Sequence, residues 1–302
     1  MSQDQLGIGQ PGQSEGPSSE SDIRYPFVLP ASSWRRTVKV GLGRIVLALR
    51  PRRAQHLIER QDPMALKLTD RLIMAGWVSR ATTDDWTTLS EVHRRFWAGR
   101  GGDIFNTAPE VAQRFDDWVL HTRPLEFLRA EIDSQQCEAM CEIGSGNGRA
   151  LEYMSKQLET VPRFIGIDIN AEATRRNAER ALDDQRLQFF TADAVEWIEE
   201  HARPNWAYFA NAGVLEYFPQ QAVTRLYRHT GAQGGPAWWL LTEPLHGDYD
   251  LATETDSRPQ PPEFSFTHNH PHLLGQAGWD VVEQFETEVA GMRFLTVCAR
   301  LP

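Results

Sequence analysis

The sequence predicts a doubly wound α/β fold, in which one mainly parallel sheet carries helices on both faces. From about residue 137 onward, short apolar runs alternate with helical stretches, a pattern typical of parallel strands joined by right-handed crossovers. Only the short break 286–291 separates the last two runs, which permits an antiparallel hairpin at one edge. We therefore predict a seven-stranded, Rossmann-like sheet with an antiparallel edge hairpin, preceded by an α-helical cap region. The predicted strands are 139–143, 163–167, 187–190, 206–210, 237–242, 279–285 and 293–299.

The size and composition of the chain are typical of a soluble globular protein. Its 302 residues can form one large domain or two modest ones, and 41% of them are hydrophobic and 24% charged. The formal net charge of −10 disfavours nucleic acid as the main partner. We find neither a secretory signal nor an apolar run near the ~20 residues that a membrane-spanning helix needs. We therefore expect a cytoplasmic protein, and its oligomeric state stays unknown.

Three cysteines are too few for a disulfide framework. Cys137 and Cys141 have a spacing that could hold a metal ion, but no second Cys or His pair of suitable spacing accompanies them. We therefore expect them to pack in the core, and we predict no metal site.

Composition divides the chain into three parts. Residues 1–22 consist mostly of Gln, Gly, Ser and Pro, so we expect a disordered tail. Residues 23–136 show helical periodicity and are predicted to form an N-terminal helical cap on the substrate side. Residues 137–302 carry the strand–helix alternation and are predicted to form the ligand-binding domain.

Start and stop signals place several helices in the cap. Asp84 and Asp85 are candidate caps of a helix that carries several aromatic residues, and the glycine-rich stretch 99–102 should end it. Pro109 and Pro124 should each begin a further helix. The Trp and Phe side chains of this region are interpreted as packing residues.

Basic and apolar residues are interleaved between about residues 25 and 60. One hypothesis is peripheral contact with a membrane or with an anionic substrate through residues 34–53. The alternative is an ordinary helix that lies on the main domain with its arginines in solvent. We favour the second hypothesis, because Gly41, Gly43 and Pro51 should interrupt any long helix.

The stretch 140–149, Met-Cys-Glu-Ile-Gly-Ser-Gly-Asn-Gly-Arg, predicts a strand that enters a tight glycine turn followed by a helix. Such a turn lets a ligand approach the backbone near the positive end of a helix. The glycines stand at 144, 146 and 148, whereas a dinucleotide fingerprint would need its third glycine at 149, which is Arg149. The stretch alone therefore indicates a nucleotide-like ligand, and the residue at 149 disfavours a nicotinamide enzyme.

Polar residues also follow the next predicted strands. Ligands of open parallel sheets bind beyond the carboxyl ends of the strands, where strand order reverses. Asp168 ends the second strand, and a carboxylate there can accept from both ribose hydroxyls. Asp193 ends the third strand and can accept from an adenine amino group, with the amide of Ala194 reaching a ring nitrogen. Asn211 and Ala212 follow the fourth strand.

Residues 137–302 thereby resemble class I S-adenosylmethionine-dependent methyltransferases, because five weak motifs occur in the right order and spacing. Glu142 to Gly148 is similar to the first motif, and the segment from Asn211 is similar to the one near the methionine moiety. The stretch 234–244 resembles the glycine turn into the fifth strand. The resemblance implies S-adenosyl-L-methionine as cofactor. The contacts that it implies are Glu142, Gly144, Ser145, Gly146, Gly148, Asp168, Ile169, Asp193, Ala194, Asn211 and Ala212.

Simpler structural roles remain open for the acidic residues. Glu142 could hold the glycine turn through backbone hydrogen bonds rather than contact the ligand. Asp193 could cap the helix 194–200, which is compatible with binding adenine. Asp168 could cap the helix 171–182, although its place after a strand favours ribose binding.

The acceptor side should lie after the fifth strand, where four of the nine histidines fall between 246 and 272. A hydroxyl acceptor needs its proton removed, so His246, His268 and His270 are candidate general bases. Alternatively, His268 and His270 could hold a divalent ion with Asp248 or Asp250. In the simplest case, these histidines only begin the helix 271–277 near the surface.

The acidic, proline-stiffened segment 246–264 is predicted to be a lid that closes over the acceptor together with the helical cap. We expect O-methylation of a small molecule such as a sugar, a glycoside or a secondary metabolite. A glycosidic or lipid-linked acceptor is compatible with the basic segment. The alternatives are an N- or C-methyltransferase on the same scaffold and a non-catalytic, cofactor-binding regulatory module.

Overall fold

The computed structural model describes residues 33–59, 67–80, 86–108, 124–134, 137–260, 265–289 and 292–302. The predicted tail 1–22, the predicted caps Asp84 and Asp85 and the helix expected at Pro109 lie outside these ranges. The strands are β1 Ala139–Ile143, β2 Phe164–Asp168, β3 Leu187–Thr191, β4 Trp206–Asn211, β5 Ala237–Leu245, β6 Arg258–Gln260, β7 Ser265–Thr267, β8 Asp280–Val289 and β9 Met292–Leu301.

Six α-helices are described before the sheet and five within the sheet region. The first six are α1 Ser33–Leu49, α2 Pro51–Glu59, α3 Leu68–Arg80, α4 Thr87–Ala98, α5 Arg100–Thr107 and α6 Pro124–Ser134. The other five are α7 Arg149–Gln157, α8 Ala171–Arg180, α9 Ala194–His201, α10 Gln220–Gly231 and α11 His270–Gln276. Within the described ranges, no helix is long and apolar enough to cross a membrane.

The main sheet has seven strands in the order β3-β2-β1-β4-β5-β9-β8. The first five strands are parallel, and β9 pairs antiparallel with both β5 and β8. The predicted fold class is therefore confirmed, including the edge hairpin. Strand order reverses between β1 and β4, so the ligand cleft of this fold lies at their carboxyl ends.

The core lies on both faces of the sheet because neighbouring residues of a strand point to opposite faces. Cys141 and Trp239 pack into the cluster on one face, whereas Met140 and Trp238 pack into the cluster on the other. Cys137 and Cys141 are both free and buried, and the Sγ of Cys137 donates to the carbonyl oxygen of Ala139 at 3.3 Å. Packing therefore accounts for both cysteines.

Helix α1 corrects the prediction that Gly41 and Gly43 would interrupt it. The helix continues through both glycines and ends at Leu49, before Pro51 begins α2. A Cβ on Gly43 would lie 2.6 Å from the backbone nitrogen of Gly76, and a Cβ on Gly76 would lie 2.5 Å from the carbonyl oxygen of Gly43. The two glycines therefore let the backbones of α1 and α3 come into direct contact.

The predicted break at 99–102 is also corrected. Only Gly99 interrupts the chain, and α5 already begins at Arg100. A Cβ on Gly101 would lie 2.6 Å from the Phe96 ring, so this glycine permits the tight corner between α4 and α5. The predicted start of a helix at Pro124 is correct. The domain boundary near residue 137 stays a prediction.

Candidate active site

The glycine turn (144–148) lies between the end of β1 and the start of α7. The backbone amides of Gly144 and Ser145 donate to the carbonyl oxygen of Ile167 at 2.8 and 3.0 Å, which fixes the turn to β2. Gly144, Gly146 and Gly148 have φ values of +69°, +48° and +75°. Other L-residues rarely adopt this conformation, so the backbone requires glycine at each of the three positions.

Asp168 joins the end of β2 to this turn. Its Oδ2 accepts from the backbone amide of Gly146 at 2.7 Å, and its Oδ1 accepts from the amide of Asn170 at 2.7 Å. Burial raises the pKa of this carboxyl above its ordinary value. Asp168 does not cap α8, because Asn170 does so, accepting from the amide of Ala173 at 2.9 Å. Each carboxylate oxygen keeps further acceptor capacity for a hydroxyl.

Two buried polar atoms beside the glycine turn have no protein partner within the described part of the chain. They are the Oε2 of Glu142 and the Oγ of Ser145. Burial, together with the neighbouring Asp168 carboxylate, raises the pKa of Glu142 well above its ordinary value. A buried polar atom without a hydrogen bond costs about 1–3 kcal/mol, so both atoms suit a polar ligand that lies on the turn. They fit the amino-acid end of S-adenosylmethionine, which carries donors and acceptors.

Asp193 and Ala194 stand at the start of α9. The Oδ1 of Asp193 accepts from the amides of Val195 at 3.0 Å and Glu196 at 3.4 Å, so the predicted N-cap is observed. Its Oδ2 lies 3.5 Å from the Nε of Arg94 in α4. Asp193 therefore connects the sheet region to the N-terminal helices, and adenine binding stays a prediction.

The loop after β4 has a backbone conformation that its neighbours must maintain. Ala212 has a φ of +61°, which is unusual for alanine, and Gly213 has a φ of +93°. The amide of Ala212 donates to the carbonyl oxygen of Thr242 at 2.9 Å. A Cβ on Gly144 would lie 2.8 Å from Val214 Cγ2, so this loop contacts the glycine turn.

Glu243, in β5, accepts hydrogen bonds from the backbone of the same loop. Both of its carboxylate oxygens lie 3.1 Å from the amide of Val214, and its Oε2 also accepts from Glu216 at 3.2 Å. Burial outweighs these favourable amides and raises the pKa of Glu243 to about 7. The carboxylate of Glu243 therefore stabilises the backbone of this loop.

The helices α4 and α5, called the cap helices below, lie against the sheet region at this site. The side-chain amide of Asn170 donates to the carbonyl oxygens of Trp97 at 3.0 Å and Gly99 at 3.1 Å. Arg176 pairs with Asp103 at 2.6 Å. The cap helices are therefore attached to the start of α8, next to Asp168.

Sequence reasoning missed an aromatic cluster between the cap helices and the loop after β4. The ring centroid of Tyr217 lies 5.0 Å from that of Trp97 and 5.1 Å from that of His93. Phe105 lies edge-on to Trp97 at 5.2 Å. Tyr217 is more than a hundred positions from the other three members in sequence, so periodicity gave no signal for its contact with them.

The structure separates the three candidate histidines. The Nε2–H of His268 donates to the carbonyl oxygen of Leu215 at 3.0 Å, so its Nδ1 accepts from the Ser257 hydroxyl at 2.6 Å. The Nδ1 of His270 lies 2.8 Å from the hydroxyl oxygen of Tyr227. Both rings are buried, and burial lowers the pKa of His268 to about 4 and that of His270 well below its ordinary value.

His246 differs from the other two histidines. It directly follows β5, and its Nε2 is buried without a partner in the described part of the chain. Burial lowers its pKa to about 4. Its role as a general base stays a prediction. Among the described residues, no three His, Cys, Asp or Glu side chains are arranged to hold a metal ion.

The described part of the predicted lid, 246–260, is anchored by hydrogen bonds. The buried Tyr249 donates from its hydroxyl to the carbonyl oxygen of Asp256 at 3.0 Å. The side-chain amide of Asn269 donates to the carbonyl oxygens of Leu251 and Glu254 at 2.9 and 2.8 Å. Lid movement stays a prediction.

Comparison with known proteins finds one matching family model and several similar solved structures. Residues 140–234 match the family described as "Methyltransferase domain". No curated protein matches the chain.

Three solved structures among those similar to this chain are methyltransferases by their names. Magnesium protoporphyrin IX methyltransferase from Synechocystis PCC 6803, with bound SAM, is 13% identical (TM-score 0.49), and the match covers 70% of this chain and 97% of that one. N-methyltransferase NodS from Bradyrhizobium japonicum WM9, in complex with S-adenosyl-l-homocysteine, is 16% identical (TM-score 0.45), covering 67% and 97%. A SAM-dependent methyltransferase from Aquifex aeolicus is 17% identical (TM-score 0.41), covering 59% and 89%.

The matched segment begins in β1 and contains the glycine turn, Asp168, Asp193 and the loop after β4. The sheet is doubly wound, as the sequence predicts, and the buried polar atoms at the glycine turn fit the predicted cofactor. The chain therefore contains a methyltransferase domain that includes residues 140–234 and uses S-adenosyl-L-methionine, and this domain lies within the stretch 137–302 that resembles the class I family.

Proposed function

We propose that this methyltransferase is O-directed and methylates a hydroxyl group of a small molecule such as a sugar, a glycoside or a secondary metabolite. The observation that carries the proposal is the Nε2 of His246, which is buried at the carboxyl edge of the sheet and has no hydrogen-bond partner among the described residues. An alcohol must lose a proton during methyl transfer, whereas an amine can react as its neutral free base. A neutral imidazole with an available nitrogen supports the first kind of acceptor.

The cofactor residues are those predicted from the sequence. Glu142, Ser145 and the three glycines of the turn would hold the amino-acid end of S-adenosylmethionine, and Asp168 with Ile169 would hold the ribose. Asp193 and Ala194 would contact the adenine, and Asn211 with Ala212 would border the methionine side. When bound, the cofactor supplies a methyl group on a sulfonium, which is already a good leaving group. The protein therefore has to orient the acceptor and exclude water, which can contribute several kcal/mol.

His246 is the best placed of the three candidate bases. His268 uses both ring nitrogens for Leu215 and Ser257, and the Nδ1 of His270 contacts Tyr227. Because burial lowers the pKa of His246 to about 4, its ring is neutral at neutral pH and can accept a proton. The rate should therefore stay constant as pH falls from 8 towards 5 and decrease only as the pH approaches that pKa.

The aromatic cluster supports an acceptor with a flat or apolar body. Trp97, Phe105 and Tyr217 are partly exposed, and Tyr217 follows the loop after β4. Asn106, next to Phe105, approaches the glycine turn, because a Cβ on Gly146 would lie 3.1 Å from its Oδ1. Aromatic rings stack well on other rings and on the apolar faces of sugars. The net charge of −10 supports a small molecule over nucleic acid. Three free cysteines support a reducing compartment such as the cytoplasm.

The test uses paired acceptors that share one aromatic or glycosidic body and carry either a hydroxyl or an amine. Turnover with methyl-labelled S-adenosylmethionine should give labelled ethers from the hydroxyl members. Labelled product from the amines alone would contradict O-methylation and assign the enzyme to the N-directed class.

The role of His246 needs a separate variant. His246→Gln should lower kcat by about 10²–10⁴, the usual contribution of a general base, and leave cofactor affinity unchanged by calorimetry. His201→Gln, at the exposed end of α9, is the matched control and should keep the kcat of the unmodified protein. A His246→Gln enzyme with undiminished kcat on its hydroxyl acceptor would exclude His246 as the base.

A further inference from the structure

Helix α1 exposes a continuous apolar surface. Its large apolar side chains on the outer face are between 49% and 72% exposed, far more than such residues usually are. They are Trp34, Val38, Leu42, Ile45 and Leu49, and we call them the exposed stripe. Successive members are four, four, three and four positions apart. At 3.6 residues per turn they fall within an arc of about 80°, so they form one face of the helix.

Among the described residues, the buried contacts of α1 lie on its opposite side. The opposite side of the helix contains Gly43, whose backbone contacts Gly76 of α3. It also contains Leu47, which is buried with Leu57 and Ile73 in a separate small cluster. Helix α1 is therefore held by one apolar face, while the side chains of the exposed stripe are 49% to 72% exposed.

Cations flank the exposed stripe. Residues 33–59 contain seven Arg and Lys residues and one acidic residue, Glu59. This gives the segment a net charge of +6, in a chain whose net charge is −10. At 100° per residue, Arg44 stands on one side of the stripe and Lys39 on the other. Arg50 and Arg52 are exposed just beyond the end of the helix.

We propose that this face of α1 docks on the surface of an anionic lipid membrane. An anionic membrane surface offers apolar acyl chains for the apolar helix face and negative charge for the Arg and Lys residues that border it. The apolar side chains enter the boundary between headgroups and acyl chains, and the cations lie at the level of the phosphates. The proposal does not depend on which acceptor the enzyme methylates.

Other occupants match the surface less well. In a symmetric dimer through the exposed stripe, two segments of charge +6 would face each other, which is repulsive. A nucleic acid would satisfy the cations, but its phosphate backbone offers no apolar phase for Leu42, Ile45 and Leu49. Charge and apolar surface together therefore favour lipid.

The test is co-sedimentation of the full chain with vesicles of phosphatidylcholine alone or mixed with phosphatidylserine. We expect binding at least about tenfold tighter to the mixed vesicles, and weaker binding as salt concentration rises. Equal recovery with both vesicle types, or no binding to either, would overturn the proposal.

Two sets of variants separate the apolar and the charged contributions. A Leu42→Ser, Ile45→Ser, Leu49→Ser triple variant should lose at least about tenfold in vesicle affinity, because it removes the inserted side chains. Arg50→Glu with Arg52→Glu should remove the preference for phosphatidylserine. The matched controls are Leu182→Ser, at a leucine that is 78% exposed on the sheet domain, and Lys156→Glu on α7, and both should bind as before.

The variants replace exposed residues, so each should keep its circular-dichroism spectrum and Tm. If the triple variant unfolds, the arginine pair and the two vesicle types still decide the outcome. A concentration-dependent dimer that the triple variant abolishes, in a protein that binds no vesicles, would assign the stripe to a second copy of the chain and overturn the proposal.

Discussion

The carboxylate of Asp168 accepts a hydrogen bond from the backbone amide of Gly146 at 2.7 Å. This contact joins the end of β2 to the glycine turn that follows β1. The hydrogen bond therefore holds Asp168, which is expected to bind the ribose, next to the glycine turn, which is expected to hold the amino-acid end of the cofactor. The two halves of the predicted cofactor site are thus connected directly by a hydrogen bond within the protein.

Replacing Asp168 should weaken cofactor binding. Asp168→Ala removes a charged acceptor, whose hydrogen bonds typically contribute about 1.5–3 kcal/mol, so the Kd for S-adenosylmethionine should rise about 10–150-fold by calorimetry. Asp183→Ala, at an exposed carboxylate beyond α8, is the control and should leave the Kd unchanged. An unaltered Kd in folded Asp168→Ala would remove Asp168 from the cofactor site.

Glu243 should make folding stability depend on pH. Its pKa is raised from 4.5 to about 7 in the folded protein, so the folded state binds an extra proton between these values. This contribution is complete below pH 4.5 and is lost as pH rises through about 7. The free energy of unfolding of the unmodified protein, relative to Glu243→Gln, should therefore fall by about 2–3 kcal/mol between pH 5 and pH 7.5. Urea unfolding at both pH values measures this, and a difference that does not change with pH would show that Glu243 stays ionised.

Gly41 and Gly43 should respond oppositely to the same substitution. A Cβ on Gly41 meets no atom within 4 Å, so Gly41→Ala should stabilise α1 by up to about 1 kcal/mol through helix propensity. A Cβ on Gly43 would lie 2.6 Å from the nitrogen of Gly76, so Gly43→Ala should separate α1 from α3 and lower Tm. Thermal unfolding of the two variants compares them directly. Equal shifts in Tm would contradict the close approach of the two backbones.

Trp97 should affect the acceptor more than the cofactor. Trp97→Ala should raise the acceptor KM by about tenfold or more, because it removes a wall of the aromatic cluster, and the Kd for S-adenosylmethionine should change little. Trp197→Ala, whose ring stacks on His201 at 4.4 Å, is the control. A rise in the cofactor Kd without a change in acceptor KM would place Trp97 on the cofactor side instead.

The sheet could be predicted from the sequence because its signals are local. Apolar runs, the glycines at 144, 146 and 148 and the acid at 168 each stand within a few residues of the element that they define. The predicted strand β1 is correct at both ends, and β2 to β5 extend one to three residues further towards the ligand edge than predicted.

The rest depends on contacts between distant parts of the chain. From the sequence alone, Gly43 is expected to interrupt the helix, because its contact with Gly76 of α3 is not visible there. Similarly, the sequence gives no sign that Tyr217 packs against Trp97. Likewise, the sequence allows Asp168 to cap α8, whereas in the structure Asn170 is the cap. Asp168 instead accepts from the amide of Gly146, which is 22 positions away in the glycine turn.

The position of β9 has a consequence for synthesis of the protein on the ribosome. This strand lies between β5 and β8, so the hydrogen-bonding edge of β5 stays open until residues 292–301 have been made. At about 5–20 residues per second, the interval from Leu245 to Leu301 lasts about 3–11 s. During it β5, which contains Trp238 and Trp239, has one edge without a hydrogen-bonded neighbour. An open apolar edge of this kind attracts other strands, so the growing chain should need chaperone protection until β9 is inserted.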